Sequence, residues 1–568
     1  MKPKLLLFSI FLFPFSVFIS YAQTLDWAIG MGSTDVDGGI GVGVDALGNV
    51  YTCGTFNGTV DFDPGVNTVN LSAGSYTSVF IQKTDADGNF LWAKRIVCAT
   101  DMLVGALHVD SAGNTYITGS FNSTTNFNSG GTNFFISTAG EKDAFIAKYN
   151  TDGTLAWAKA VGGVNDDLGR SIFVDNAGNT YATGTFTGTI DADPGNGTLN
   201  FTNVGLLSVY ILKLDANGDL VWAVMNSKAN AAMQPFSIEA DNAGNVYVAG
   251  AFLGTMDFDP SGTSYDLTST SNTYDICIQK LDQAGNFLWA KQAGSTGLDY
   301  CHSIALGEFN DIYLTGFFNN TVDFDPGNGI SNLTSAGGND IFILKLDIAG
   351  NYKWAKRMGS TGGDFGRAVC YQSGEIYSVG SFYNTVDFNP NAGTDNFTAS
   401  NNYSDYYIQI LDTTGNYVWT ATFGSTANDE AFGVYGDHWE NKYITGRFNG
   451  TFDFDPGPNT SNLVASTGTS GDIFVQKLTD IVTSVDTDFN DTFNLYPNPA
   501  SNFISIQSAV DSKHLTITIY NAQGQLVTLS KVEGQKKTID ISSLSSGIYY
   551  LHLQSNDGVG VKKFEVLR

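Results

Sequence analysis

Tyrosine recurs seven times along this chain, at Tyr51, Tyr116, Tyr181, Tyr247, Tyr313, Tyr377 and Tyr443, at intervals of 64 to 66 residues. Tryptophan recurs seven times in the same unit, at Trp27, Trp92, Trp157, Trp222, Trp289, Trp354 and Trp419. A period of this length marks a repeat architecture, in which each unit needs its neighbours to bury its apolar faces. The third copy shows the unit best: "RSIFVDNAGNTYATGTF", then "TGTIDADPGNG", then "VYILKLDANGDLVWAV". Four strands are predicted in it, SIFVD, TYATGTF, VYILKLD and LVWAV. The turns "NAGN" and "ANGD" supply the positive-φ positions that tight hairpins need. A longer connection holding Asp-Pro-Gly joins the second strand to the third.

The two series are out of phase at the ends. Trp27 precedes the first Tyr, and the seventh unit stops at "DIFVQKLTD" without its Trp strand. An array that lacks its last strand at one end and owns it at the other predicts a ring closed by the first strand pairing into the last unit. Closure removes the exposed sheet edges that an open array leaves. A solenoid has no use for a split unit and needs polar caps instead. The expectation is therefore an all-β chain, a seven-bladed β-propeller over residues 23–478. Charged residues are only 15%, while glycine (64 residues) and aromatics (13%) are abundant, a composition suited to many strands and tight turns.

Residues 1–22 read as an export leader. Lys2 and Lys4 precede an apolar run from Leu5 to Ile19, and "SYA" offers a small-residue cleavage site before Gln23. No Cys follows that site, which argues against a lipid anchor, and no later segment approaches membrane-spanning length. The whole chain carries a net charge of −28, and the leader and residues 493–568 are each +2, so residues 23–492 hold −32. Such a field repels nucleic acid and anionic membranes and attracts cations or basic partners, besides conferring solubility. Five cysteines (Cys53, Cys98, Cys277, Cys301, Cys370) show no C-x-x-C spacing, and Cys53, Cys277 and Cys370 sit in apolar strand patterns as expected of buried thiols.

Two acidic elements repeat, and the predicted topology puts both on the face that carries the second-to-third loops and the connections between units. The first is "TVDFDPG". Asp61, Asp191, Asp257, Asp323, Asp387 and Asp453 hold its first acidic position, with Asn126 in the second unit; Asp63, Asp193, Asp259, Asp325 and Asp455 hold its second, with Asn128 and Asn389 in the others. Residues i and i+2 of an extended chain point the same way, so each pair presents two oxygens together. Paired carboxylates suit calcium, which needs six or more oxygens, and Asp-Pro-Gly is equally a turn that Asp caps for itself. The second element is "GSTxxD", with Asp37, Asp167, Asp299, Asp364 and Asp429 ten residues beyond the Trp. These five are candidate binding residues for a cation or a basic group, or else bond the backbone of their own loops.

Catalytic constellations are sparse. His108, His302 and His438 occupy unrelated positions in their units, and no zinc spacing, phosphate loop or nucleophile elbow is present. Glu308 and Glu375 are unique acids that replace turn residues on the opposite face. The reading is a binding or adhesion module for glycan or protein at the cell exterior. The alternative is a secreted polysaccharide-degrading enzyme with a carboxylate pair in the acidic loop face.

Two stretches resemble known families. "GSTGLDYCHSIALGEFNDIYLTGFF" and "VGGVNDDLGRSIFVDNAGNTYATGTF" resemble the bacterial β-propeller repeat, with local departures at "QSGEIY" and "DHWENKY". That resemblance implies fold, and no activity. After a polar linker over 479–492, residues 493–568 read as alternating strands of a small β-sandwich. They resemble the type A C-terminal sorting domain of the type IX secretion system of Bacteroidota. The residues that carry this are Tyr496-Pro497-Asn498-Pro499, Asn521-Ala522-Gln523-Gly524, Leu544, Gly547-Ile548-Tyr549 and Lys562-Lys563. Arg568 ends the chain where Lys is frequent. The resemblance implies the type IX machinery as a partner, passage across the outer membrane, and removal of the tail with release or surface attachment.

Overall fold

The computed structural model describes residues 23–400, 403–466, 471–480, 493–508, 515–521, 526–532, 536–542, 544–555 and 558–568. The leader, Ala522–Gln523–Gly524 of the tail motif and most of the linker thus lie outside the described residues. The chain divides into two units, Met1–Asp480 and Ile481–Arg568. Among the described residues every regular element in both is a strand, apart from one 3₁₀ turn at Thr270–Asn272.

The first unit holds seven four-stranded antiparallel arrangements in chain order. Sheet one consists of Gly38–Val44, Val50–Phe56, Ser78–Thr84 and Phe90–Ile96. Its middle strands are buried almost throughout, and all seven residues of Ser78–Thr84 are inaccessible. A strand covered on both faces reads as a near-continuous apolar run and not as an alternation. The first strands of the sheets pack against one another in sequence, and that of sheet seven (Glu430–Gly436) returns to that of sheet one (Gly38–Val44). Each first strand carries a bulge at the same register: Ile40, Gly105, Arg170, Phe236, His302, Arg367 and Phe432.

Sheet seven takes its fourth strand from the other end of the chain. Gln23–Met31 pairs antiparallel with Asp472–Asp480, Gln23 opposite Asp480 and Met31 opposite Ile473. Trp27 stands opposite Lys477 as Trp92 stands opposite Lys83 and Trp157 opposite Lys148. The Tyr and Trp series now have a physical reason. In sheet one Lys83 lies beside Tyr51 in register and holds its ammonium 4.7 Å from the ring centre, while the Trp92 ring meets Tyr51 edge-on at 6.1 Å. Lys83 Nζ and Trp92 Nε1 both donate to the Thr151 carbonyl, in the turn of sheet two. Trp27 Nε1 and Lys477 Nζ donate in the same way to Ala86 O, in the turn of sheet one, and so join sheet seven to sheet one. Gly88 in that turn has φ of 81°, and a Cβ there would stand 3.0 Å from the Trp27 indole, so backbone freedom and close approach both require glycine.

Sheet six departs from the pattern. Ile410 replaces the lysine opposite Tyr377, and Lys442 reaches over from sheet seven to sit 5.3 Å from that ring. Glu375 replaces the usual aspartate as partner of the Tyr377 hydroxyl, at 2.9 Å.

The second unit has a three-stranded sheet of Phe493–Tyr496, Phe503–Ser508 and Lys536–Asp540. Its other sheet is Leu526–Val532, Leu515–Asn521, Gly547–Ser555 and Gly558–Val566. One apolar cluster draws on both, including Ile504, Ile539, Ile519, Leu551 and Phe564.

If Gln23–Met31 closes the ring, Trp27→Ala should cost as much as Trp157→Ala in the interior of the array, each about 3 kcal/mol, in denaturant unfolding of the chain from residue 23. A near-zero cost at Trp27 alone would show the terminal strand to be dispensable.

Candidate functional site

The loops that precede the first strands meet those that follow the second strands at one end of the sheets. Asp37 accepts from the Ser33 amide through Oδ2 at 2.6 Å and from the Asn57 amide through Oδ1 at 2.7 Å, which ties the two loops together. Asp299 accepts from Ser295 and Asn319, Asp364 from Ser360 and Tyr383, and Asp429 from Ser425 and Asn449, all within 2.9 Å. Asp167 does the same with Gly163 at 2.7 Å and Thr187 at 3.3 Å. All five side chains are wholly inaccessible. In the two sheets without this aspartate, Met102 and Met233 fill the position and are buried as completely.

A second set of aspartates, which the repeat reading passed over, lies beside the first. Asp143, Asp275, Asp340, Asp405 and Asp472 open the third strands, at or just after their first residue. Each accepts a backbone amide through Oδ2, from Ala139, Thr270, Ala336, Ser400 and Ser466 respectively. The Oδ1 atom of all five is buried without a hydrogen-bond partner. The carboxyl of Asp275 packs on Gly294, where a Cβ would fall 2.0 Å from its Cγ, and Asp472 packs in the same way on Gly32. The Gly at this position in five of the seven units, Gly32, Gly162, Gly294, Gly359 and Gly424, is thereby explained: it leaves room for a carboxyl group. The signal was visible in "KDAFIA", "YDICIQ", "NDIFIL", "SDYYIQ" and "GDIFVQ", each with Asp just ahead of the apolar run.

The two sets meet in pairs across successive sheets, where Asp472 raises Asp37, Asp143 raises Asp167, Asp299 raises Asp275, Asp364 raises Asp340 and Asp405 raises Asp429. Burial is the leading cause in every case, opposed by the backbone amides. It pushes Asp37, Asp143, Asp340 and Asp405 to about 6, and Asp167, Asp275 and Asp429 to about 7.

The "TVDFDPG" acids are arranged differently. Asp61 Oδ1 accepts from the amides of Asp63 at 3.1 Å and Val69 at 2.8 Å, and Asp63 Oδ1 accepts from Gly65 at 2.8 Å. Asp191 with Asp193, Asp257 with Asp259, Asp323 with Asp325 and Asp453 with Asp455 repeat this net of bonds. Phe62 between the two acids is fully buried. Among the described residues no three His, Cys, Asp or Glu side chains gather as a metal-holding group.

On the opposite face the first-to-second turns close on aspartates. Asp45 accepts from the Leu47 and Asn49 amides, the Asn49 side chain and the Tyr51 hydroxyl, all within 3.0 Å. A cavity of about 640 Å³ opens there, lined in part by His108, Phe173, Tyr435 and His438. Burial holds His108 and His302 down to about 4, which leaves both imidazoles neutral at pH 7. Burial pushes Glu239 up to about 8 and Glu375 above its ordinary value. All five cysteines are free, and burial pushes Cys53, Cys301 and Cys370 up to about 12; Cys370 is only half-buried.

In the second unit Asn498 donates to Lys563 O at 3.0 Å and accepts from the Glu565 amide at 2.9 Å, which ties the "YPNP" segment to the last strand. Tyr549 stacks on Phe564 at 5.6 Å. The Arg568 guanidinium donates to the carbonyls of Ile541, Leu544 and Ser501.

Residues 494–566 match the family described as a secretion system C-terminal sorting domain. The chain therefore carries a sorting tail of the type IX secretion system. Among curated proteins the chain is 24% identical over 291 residues to an uncharacterized WD repeat-containing protein of Acanthamoeba polyphaga mimivirus, a match that covers 44% of this chain and 20% of that protein. It is 26% identical over 159 residues to the regulatory protein FlaEY of Caulobacter vibrioides, covering 27% of this chain and 16% of that one. The chain thus spans a fifth or less of the length of these relatives. Among solved structures, the Plexin A4 extracellular region, domains 1 to 8, aligns with a TM-score of 0.36 at 8% identity, covering 94% of this chain and 62% of that one. No helix among the described residues is long and apolar enough to cross a membrane.

The paired acids set the pH dependence. Unfolded, these groups titrate near 4; folded, they keep protons up to about 6 or 7. Between those values the folded chain binds more protons than the unfolded one, so stability falls as pH rises from about 4 to about 7. Thermal melts should give a Tm higher by about 5 °C or more at pH 5.5 than at pH 7.5. The trend should reverse below about pH 4, where acids such as Asp347 begin to protonate. There burial pushes upward, but the bonds from Asn351 and Lys353 outweigh it and hold the carboxyl at about 2. A Tm flat or rising from pH 5.5 to 7.5 would show the pairs to be fully ionised in the fold.

Proposed function

We propose that this chain is an exported seven-bladed β-propeller of the bacterial repeat type, from a member of the Bacteroidota, that binds glycan or protein at the cell exterior. In this reading residues 1–22 are a cleaved leader and residues 23–478 the propeller. Residues 479–492 are a linker, and residues 493–568 form the tail that engages the type IX machinery and is then removed. The observation that carries delivery is the sorting-domain match over residues 494–566. Support for the architecture comes from the seven sheets, from the packing of the last first-strand on the first, and from the Gln23–Met31 strand in sheet seven.

Support for binding over catalysis comes from how the repeated acids are used. Asp37, Asp167, Asp299, Asp364 and Asp429 are inaccessible and bonded to amides, and the "TVDFDPG" acids hold their own turns. A hydrolase needs at least one carboxyl that reaches the substrate. Carboxylates that already accept two or three backbone amides are also poor recruits for calcium, which needs six or more oxygens.

Three results are expected. Deletion of residues 493–568 should leave the protein in the periplasm, while the full chain reaches the surface or the medium; immunoblots of cell fractions read this directly, and secretion without the tail would overturn the delivery reading. A calcium site saturated at about 100 times its Kd adds about 2.7 kcal/mol; melts with calcium and with chelator should coincide, and a large shift would return the Asp61–Asp63 class to metal binding. Glycan-array binding without release of reducing ends should distinguish a binding module from a hydrolase.

A further inference from the structure

The bulges of the first strands place five cationic or aromatic side chains on consecutive sheets: Arg170, Phe236, His302, Arg367 and Phe432. A bulge leaves its extra residue out of the ladder and re-aims its side chain. Each of these residues is half-buried. The last four are linked in series from sheet to sheet, and Arg170 stands on the sheet before them. Phe236 meets the His302 ring edge-on at 5.3 Å, and His302 Nδ1 lies 2.8 Å from Gly366 O, next to Arg367. The Arg367 guanidinium in turn sits 5.1 Å from the Phe365 ring centre and 5.9 Å from that of Phe432.

In a region of net charge −32, the two arginines have no carboxylate of their own. Among the described residues neither makes an ion pair or a hydrogen bond, and the Nε of each is buried without a partner. The carboxylate beside Arg367, that of Glu430, is taken by Arg447 at 2.5 Å. Burial lowers the affinity of both guanidiniums for their protons, yet arginine stays charged at any physiological pH. A guanidinium whose Nε–H is buried without an acceptor is a cost to the fold. The planar fork of a guanidinium matches carboxylate and sulfate oxygens two at a time. The Phe236 ring beside His302 and the Phe365 and Phe432 rings beside Arg367 set apolar faces next to these polar groups, the mix of surfaces that sugar and other ring ligands need.

We propose that Arg170 and Arg367, with Phe236, His302 and Phe432, bind the carboxylate or sulfate of an acidic saccharide at the inner edge of the ring. This rests on the glycan reading above and names the chemistry of the glycan. It is tested on the full chain from residue 23 by calorimetric titration and melts at physiological salt, with tetragalacturonate and its fully methyl-esterified form as probes. The acid form should bind and raise Tm, and the ester, with the same rings and no charge, should bind roughly tenfold or more weakly. Arg367→Met and, separately, Arg170→Met should each weaken the acid form by roughly tenfold or more while leaving the unliganded Tm unchanged or higher, since a structural arginine would lower it. Equal binding of acid and ester, indifferent to both variants, would overturn the anion site and leave the glycan reading standing. No binding of either sugar, with an Arg367-dependent rise in Tm on sodium sulfate over sodium chloride at equal ionic strength, would overturn the saccharide and the glycan reading together. If Arg367→Met fails to fold, Arg170→Met alone decides between these outcomes.

Discussion

The Tyr–Lys–Trp latch is the contact on which the first unit depends. Within a sheet it spans three strands: Tyr on the second, Lys on the third and Trp on the fourth. Between sheets it places two donors on one carbonyl of the next turn, as Lys83 and Trp92 do on Thr151. A single element thus sets the register of three strands and the spacing of neighbouring sheets. Its components are individually modest, since a cation–π contact is worth about 0.5–2 kcal/mol and a net hydrogen bond about 1 kcal/mol. Repetition around the sheets makes it decisive, and the Trp27–Ala86 instance links the chain's first strand to sheet one.

Acid is used in two opposite ways at the two ends of the sheets. At the turns, each carboxylate, such as that of Asp45, accepts several donors at once. At the loop end, paired buried carboxylates such as Asp275 and Asp299 have too few donors for two full charges, and they hold protons at pH values where exposed acids have lost them. The same residue type is therefore a turn lock in one place and a proton-holding buried acid in the other. The difference lies in the number of amides within reach and in the nearest second carboxyl.

Much of this was legible in the sequence. The period, the split unit, the turn signals and the tail motifs are local patterns, and local patterns survive translation into a one-dimensional string. The shared end of the two acidic loop types was legible as well, because alternating strand direction sends every second connection to the same side. The paired carboxylates were not. Asp143 and Asp167 are 24 residues apart and meet only when one sheet packs on the next. The bulge residues were not legible either: Arg170, His302 and Arg367 occupy one register position that reads as variable noise until the ladders show that the same residue is extruded in every first strand.

The sequence by itself determined the all-β class, the repeat and its phase, and the sorting tail, because turn chemistry, apolar runs and ordered motifs act over a few residues. Tertiary structure alone decided which carboxyls keep their protons and which arginines are left without partners. Those properties depend on dielectric, on amide count and on what the neighbouring sheet presents. All three are set by packing across distances that no sequence window contains.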